Sequence, residues 1–546
     1  MTMVNKTNTN QEQFNAFLIS LLKKSFCKSG IELNEALVSE FGVTPQYARQ
    51  ILKRSVEKDR IKSSAPHMFG TGQYVYFLSK ENLNLSNVLK ICKKYRPPIY
   101  RLLELMQMNG GIISIYEALK ITSTPIKKNS AKISLLSDIE HMLTALSIIY
   151  RKKDENSVEY LILYEQNQKL SSPVEKQKMS DHYNKMVTDC TLIPDVLRWL
   201  VNSNIIGNSQ PIYRNKKTPS RGAVQNNLVW DAYGYTKATG INPSLGVQSD
   251  DIEKQTLVVL DVVLSSDYTK LHLDAFFERI QHNRHSTKGD SRKVLPIVVY
   301  KSASQLVINT LGKLGIIAFD INSIFGTKII DILLKTQNLV QLINDPEDIE
   351  KEISGILKTI SNAGQEDALR DLKGTLFEFL MYPLIVNLYP QTHIERGKIL
   401  SSETVEKTGE TTIEKYEYDY IVVNNNPPEL IFIELKGYNS GATIPLGDRN
   451  TKSSLKWFFR RTLPFGIKQY DRYIKEGKVG KGVYITSANF YPDGHDFITT
   501  INKSKLKPLQ LEAGYERQSL IKLLTERGFK NEVKIIEKFY TKETES

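Results

Sequence analysis

The chain has 546 residues, 40% of them hydrophobic and 9% aromatic, with 73 Lys and Arg against 60 Asp and Glu for a formal charge of +13. That length exceeds what one core organises, so several domains are expected, and the cation excess fits an anionic partner such as nucleic acid or an acidic membrane surface. Three scattered cysteines, Cys27, Cys92 and Cys190, argue against a disulfide framework or structural zinc; with no membrane-length apolar run and a polar, Asn- and Thr-rich start, the expectation is a soluble cytoplasmic protein.

Residues 10–80 read as three helices and a hairpin. Phe14, Phe17, Leu18 and Leu21 recur at helical spacing, and a short helix over 33–41 is ended by Gly42. Thr44 and Pro45 start another through Tyr47, Ile51 and Val56, and glycines 70 and 72 precede the alternating run Tyr74, Val75, Tyr76, Phe77. This order resembles a winged helix-turn-helix, which implies that Arg49, Lys53, Arg54 and Lys58 line a DNA-facing helix, although such modules also serve protein contacts. Residues 97–165 repeat the pattern, with Gly110 and Gly111 breaking the first helix and strands expected at 148–150 and 158–164. Asp138 and Glu140 on the corresponding helix suit packing better than phosphate contact.

From 180 to 325 the pattern turns to α/β. A helix at 193–201 leads to a basic stretch at 214–221, then to strands at 228–235, 257–264, 295–300 and 315–321 with helices between. A helical connector follows over about 328–362. The last region opens with a helix over 366–388 that carries Glu378 among Leu376, Phe377, Phe379 and Leu380, a costly place for a carboxylate unless it faces a cavity or a partner. After a strand near 394–400 and a polar tip around 407–411, the strand 416–423 holds Asp419. A turn at 424–428 then makes the strand 430–436 its antiparallel neighbour. On this strand Leu430, Phe432, Glu434 and Lys436 share one face, so Asp419 can approach Glu434. Such a cluster suits Mg²⁺, with Mn²⁺ as the substitute, which takes a few carboxylate oxygens plus waters and phosphate oxygens. Asp419, Glu434 and the Leu435 carbonyl are the candidate ligands, Glu378 completes a second position or orients water, and Lys436 serves the water or the phosphoryl charge.

The acid on the leading helix, the strand aspartate and the E-x-K pair resemble the PD-(D/E)xK nuclease superfamily over about residues 365–500, and Gln469 to Tyr473 matches the Q-x-x-x-Y motif of some branches. Tyr418 stands where a proline often precedes the aspartate. The resemblance implies a restriction-endonuclease-like α/β core and metal-dependent hydrolysis of DNA leaving 5′-phosphates. Gln469 and Tyr473 join the site on this reading, and Arg460, Arg461, Lys468 and Arg472 meet phosphate among Trp457, Phe458 and Phe459. The upstream region repeats the order with Asp231 and Asp261, but Val263 stands where the lysine belongs, so it reads as a nuclease-like fold without activity, with a shifted site using Asp231 and Asp261 or an unrelated α/β domain as the alternatives. The expected organisation is winged helices at 1–85 and 86–175, a nuclease-like α/β domain at 176–327, a connector at 328–364 and the nuclease at 365–546. Restriction or antiphage defence is the expected setting, with a homodimer and an ATPase or methyltransferase as partners and no membrane. Rival readings are a DNA-binding regulator or scaffold with a non-catalytic nuclease fold, a mobile-element end-cleaving enzyme and an RNA nuclease.

Overall fold

The computed structural model describes residues 2–69, 73–127, 135–165, 168–207, 211–237, 255–285, 293–341, 346–405, 411–439 and 441–541. It is a mixed α/β chain with several separate sheets. The first unit runs α1 (Thr2–Ser25), β1 (Cys27–Ser29), α2 (Gly30–Phe41), α3 (Pro45–Glu57), β2 (Lys62–Ser63) and β3 (Val75–Phe77), with strand order β1-β3-β2. A capping box of Ser29 and Glu32 starts α2, and Gly42 ends it at φ +62°, a conformation that favours glycine. Leu18, Leu33, Leu37 and Ile51 close a small core beneath these helices. Gly70 and Gly72 of the expected hairpin lie outside the described residues.

The second unit follows α4 (Leu85–Tyr95). It runs α5 (Pro97–Met108), β4 (Ile112–Ser114), α6 (Ile115–Thr122), α7 (Leu136–Ala145), β5 (Ile149–Lys153) and β6 (Glu159–Leu163), with order β4-β6-β5. Element succession and strand arrangement both match the first unit. Asp138 accepts the Leu135 N–H at 3.0 Å and Glu140 pairs with Arg151 at 2.9 Å, so the acids on α7 are used locally. Packing on the next unit falls instead to α5 and α6, through Arg101, Tyr116 and Lys120.

The third unit contains α8 (Ser172–Thr191), α9 (Ile193–Asn202), β7 (Ile212–Tyr213), β8 (Ala223–Gln225), β9 (Leu228–Trp230), β10 (Ala232–Thr236), β11 (Thr256–Val263), α10 (Lys270–His285), β12 (Val294–Tyr300), α11 (Gln305–Lys313) and β13 (Ile317–Asp320). Its sheet has order β13-β12-β11-β10-β7, with β7, β10 and β11 antiparallel and β11, β12 and β13 parallel. The strand expected over 228–235 is split at Asp231: β9 pairs with β8, whereas β10 pairs with β7 and β11. The reason is chemical, because the Asp231 carboxylate turns inward to accept the Val262 N–H.

Helices α12 (Ile321–Phe325), α13 (Ile329–Gln341) and α14 (Pro346–Asn362) lead to α15 (Arg370–Leu388), β14 (His393–Val405), β15 (Thr411–Asn425), β16 (Pro428–Lys436) and β17 (Thr443–Ile444). Then come α16 (Leu455–Trp457), a π-helical turn (Phe458–Thr462), α17 (Leu463–Gln469), α18 (Asp471–Lys475), β18 (Val479–Thr486), β19 (Asn489–Phe490), α19 (Pro492–Asn502), β20 (Gly514–Tyr515), α20 (Arg517–Glu526) and α21 (Lys530–Phe539). The sheet order is β14-β15-β16-β18-β20, three strands antiparallel and the last two added parallel, as in the third unit.

Period-two alternation on β16 builds two cores. Leu430 and Phe432 pack with Phe458, Phe459 and Leu463, while Ile431, Ile433 and Leu435 pack toward Leu376, Phe377 and Leu380 of α15. The second core continues through α13 and α14 to α9 and β11, so the third and fourth units share an apolar interior. Asp195 of α9 also caps α15, accepting the Asp371 and Leu372 N–H groups at 3.1 and 3.3 Å. No described helix is long and apolar enough to cross a membrane.

Candidate active site

Alternation along β15 slips at Asp419. Tyr416, Tyr418, Ile421 and Val423 pack in one core, while Tyr420 and Val422 enter the other. Ladder pairing with β16 begins one residue later, at Tyr420 opposite Ile433, so Asp419 is free to bend across the ladder and accept the Leu435 N–H at 2.6 Å. That bond places the Asp419 carboxylate beside the end of β16, where Glu434 and Lys436 project. Lys436 Nζ lies 2.5 Å from Glu434, 3.2 Å from the Leu435 carbonyl and 4.0 Å from Asp419. Glu378 arrives from α15, held close because Gly437 packs directly on Phe377 with no room for a Cβ.

These four residues converge, but another cation joins them. Lys217, on the loop between β7 and β8, places Nζ 2.5 Å from Asp419, 2.6 Å from Glu417 and 3.4 Å from Glu378. Its neighbour Lys216 donates to the Thr375 hydroxyl. Both open onto a cleft of about 750 Å³ between the third and fourth units, which also exposes Glu434, Lys436, Tyr416 and Trp457.

The electrostatics follow from burial and pairing. Burial pushes the Glu434 carboxyl up to about 7, with Asp419 adding to the effect and Lys436 opposing it. Burial also penalises the Lys436 charge, but Glu434 and Asp419 outweigh this and hold the ammonium well above its usual range. Lys217 is likewise raised against its burial, by Asp419, Glu378 and Glu417. Asp419 is held low despite burial, chiefly by Lys217 and Lys436.

Two expected participants are not brought to the cluster. The helix over Leu463–Gln469 ends with Tyr470 as its C-terminal cap, so Gln469 and Tyr473, spaced i,i+4, do not share a helix face. Gln469 is exposed, Tyr473 stacks on Tyr470 at 5.8 Å, and neither lines the cleft. Of the expected phosphate contacts, Arg461 sits over Trp457 at 4.8 Å and donates to the Tyr416 hydroxyl at 2.6 Å, close to the cleft wall. Arg460 lies over Phe497, Arg472 pairs with Glu476 at 3.0 Å, and Lys468 is exposed beyond the cleft lining. Arg49, Lys53, Arg54 and Lys58 are exposed along α3 and its end.

Lys217 and Glu417 were not expected at the site. Glu417 carries a usable sequence signal, since it lies two residues from Asp419 on the same strand. Lys217 carries only membership of a basic run 202 residues away from Asp419.

The third unit holds a counterpart built on the same register. Ala232 pairs with Leu260 as Tyr420 pairs with Ile433, and Asp231 accepts the Val262 N–H at 2.7 Å as Asp419 accepts that of Leu435. Asp231 and Asp261 thereby match Asp419 and Glu434, and Val263 takes the position of Lys436. Lys120 of α6 fills this second cluster, bonded to Asp231 and lying 3.0 Å from Asp261. Arg214 lies 3.3 Å from Asp231, and Arg279 lies 3.0 Å from Asp261. The adjoining cavity of about 40 Å³ has room only for water.

Comparison with models of known protein families, with curated proteins and with solved structures gives no match for this chain.

Proposed function

We propose that the fourth unit is a PD-(D/E)xK nuclease that hydrolyses DNA phosphodiester bonds with Mg²⁺, replaceable by Mn²⁺, and that the first two units are winged helices. The observation that carries this reading is the meeting of Asp419, Glu434, Lys436 and Glu378 on the lining of one cleft that also carries Lys216, Lys452 and Trp457. The donor set fits a hard cation: carboxylates of Asp419 and Glu434, the Leu435 carbonyl, and Glu378 nearby. Among the described residues no three His, Cys, Asp or Glu side chains form a ready-made ion cage, and the ammonium groups of Lys436 and Lys217 stand among the acids. Mg²⁺ does not require such a cage, because it keeps several waters and typically takes one or two carboxylates. When bound, the ion supplies Lewis acidity and a more acidic water.

The chain's own residues then divide the work. Asp419 is fixed by the Leu435 N–H, so its orientation is set before any ligand arrives. Lys436, beside Glu434, is placed to donate a hydrogen bond to the attacking water and to phosphoryl oxygens. Half-buried Trp457 lines the cleft, and exposed Lys452 offers charge for the backbone.

Incubation of supercoiled plasmid with the full-length chain and Mg²⁺ tests this reading. Cleavage that EDTA stops and that Lys436→Ala lowers by about 10²-fold or more is expected. Equal nicking by wild type and the variant removes the activity from this site, and preferential loss of RNA in the same tube marks an RNA nuclease. The neutralisation of the acids by Lys217 favours one competing reading, a DNA-binding scaffold with a silent nuclease fold, for which no cleavage is expected at any metal concentration.

DNA capture is assigned to α3. The double change Arg49→Ala and Lys53→Ala is expected to weaken duplex binding and to reduce the slope of log affinity against log salt by about two. Fluorescence anisotropy at several salt concentrations measures this, and an unchanged slope would place the phosphate contacts elsewhere.

A further inference from the structure

The contacts of Lys217 extend the nuclease reading and depend on it. We propose that Lys217, delivered by the third unit, is the resident second cation of the carboxylate cluster, so that the site takes a single divalent ion on its Asp419–Glu434 side.

Position is the first argument. An ion shared by Glu378 and Asp419 would need the space between them, and the Lys217 ammonium already lies in contact with both and with Glu417. Its side chain is 12% exposed, so it is a component of the interior and not a surface lysine leaning in.

The second argument is that the loop is built into both units. Arg214, buried on Asp231, anchors one side, and its backbone N–H bonds the Asp231 carbonyl at 2.7 Å. Turn bonds run from Thr218 N–H to the Asn215 carbonyl and from Arg221 N–H to the Thr218 carbonyl, at 3.1 and 2.9 Å. Asn215 accepts the Lys217 N–H at 2.9 Å and reaches Glu417 at 3.5 Å, while the Lys217 stem rests on Gly397. These contacts fix the Lys217 backbone and support its stem. Lys436, by contrast, reaches Glu434 from its own strand end.

A similar arrangement recurs in the third unit. In the matching cluster of the third unit, Lys120 from the preceding unit bridges Asp231 and Asp261. In each sheet a lysine imported from the neighbouring unit thus meets the bent aspartate, Lys120 together with Asp261 and Lys217 together with Glu417 and Glu378. The third unit is then a structural part of the active site, and Lys217 is a positioning residue that fixes Glu378 and Asp419.

Titration of Mn²⁺ into the full-length chain, with free ion read by electron paramagnetic resonance and heat by calorimetry, tests the proposal without relying on cleavage. The wild type is expected to bind one ion. Lys217→Met is expected to admit a second, Lys217→Arg to restore one, and Lys217→Met combined with Glu378→Gln to lose the second again. Two ions in the wild type, or one in a Lys217→Met variant that melts like wild type, overturns the assignment of Lys217 while leaving the metal site intact. No ion in the wild type overturns the nuclease reading and this proposal together. If Lys217→Met does not fold, Glu378→Gln alone decides: affinity for the single ion is expected to hold, and a loss of more than about tenfold shows that Glu378 is a ligand of that ion and sinks the proposal.

Discussion

Asp419→Asn is expected to abolish cleavage, by about 10³-fold or more, while leaving the fold nearly intact. The expected loss is the several kilocalories per mole by which a bound ion stabilises transition-state charge, at about 1.4 kcal/mol per tenfold. The amide keeps an oxygen for the Leu435 N–H, and Lys217 keeps Glu417 and Glu378. The melting transition should therefore move little. Asp419→Ala separates the two roles, because it strands the buried Leu435 N–H and adds a stability loss of about 1–3 kcal/mol. Single-turnover cleavage at saturating Mg²⁺ beside a thermal melt reads both quantities. Residual activity within tenfold of wild type in Asp419→Asn would show that this carboxylate is not at the reaction centre.

The second large effect lies far from that cleft. Lys120→Met is expected to cost about 3–5 kcal/mol of folding stability, the usual result of removing one partner from a buried ion network. The charges in the third unit's cluster balance: Lys120, Arg214 and Arg279 face Glu117, Asp231 and Asp261, and both aspartates are buried almost completely. Lys120 and Arg279 hold Asp261 well below the usual carboxylate range against a strong burial penalty, and without Lys120 that penalty is opposed by Arg279 alone. Removing the ammonium leaves the buried cluster with one more negative than positive charge. Urea unfolding measures the loss, and Lys120→Met with Asp261→Asn should recover part of it because the acid leaves with its partner. A loss under about 1 kcal/mol in the single variant would mean that water reaches the cluster and screens it.

This balance also sets the third unit's cluster apart from that of the fourth. Both sheets bend an aspartate across the ladder onto the N–H that follows a second acid. In β16 the strand continues to Lys436 at the edge of an open cleft. In β11 it continues to Val263 inside a core, and three cations close over the acids.

Much of the site was legible because its determinants are local. Alternation on β16 put Glu434 and Lys436 on one face, and the short turn after Asn425 made β15 its neighbour, so Asp419 had to lie near Glu434. Glu378 stood out as a carboxylate in an apolar helix. Glu417 is equally local, two residues from Asp419, but it lies outside the motif positions that draw attention to this strand. Gln469 and Tyr473 misled for a different reason: their spacing has meaning only on a continuous helix, and the chain leaves the helix at Tyr470.

By itself the sequence determined the strands, their faces and the acid pair, because periodicity and short turns act over a few residues and leave a pattern there. Only the tertiary structure decided which cations meet those acids. Lys217 and Lys120 reach their partners across 202 and 111 residues of chain. Their places are set by how whole units pack, through the shared core of α9, β11 and α15 and the docking of α6. No local pattern encodes such packing, whereas the cost of a buried, unpaired carboxylate ensures that some cation must arrive.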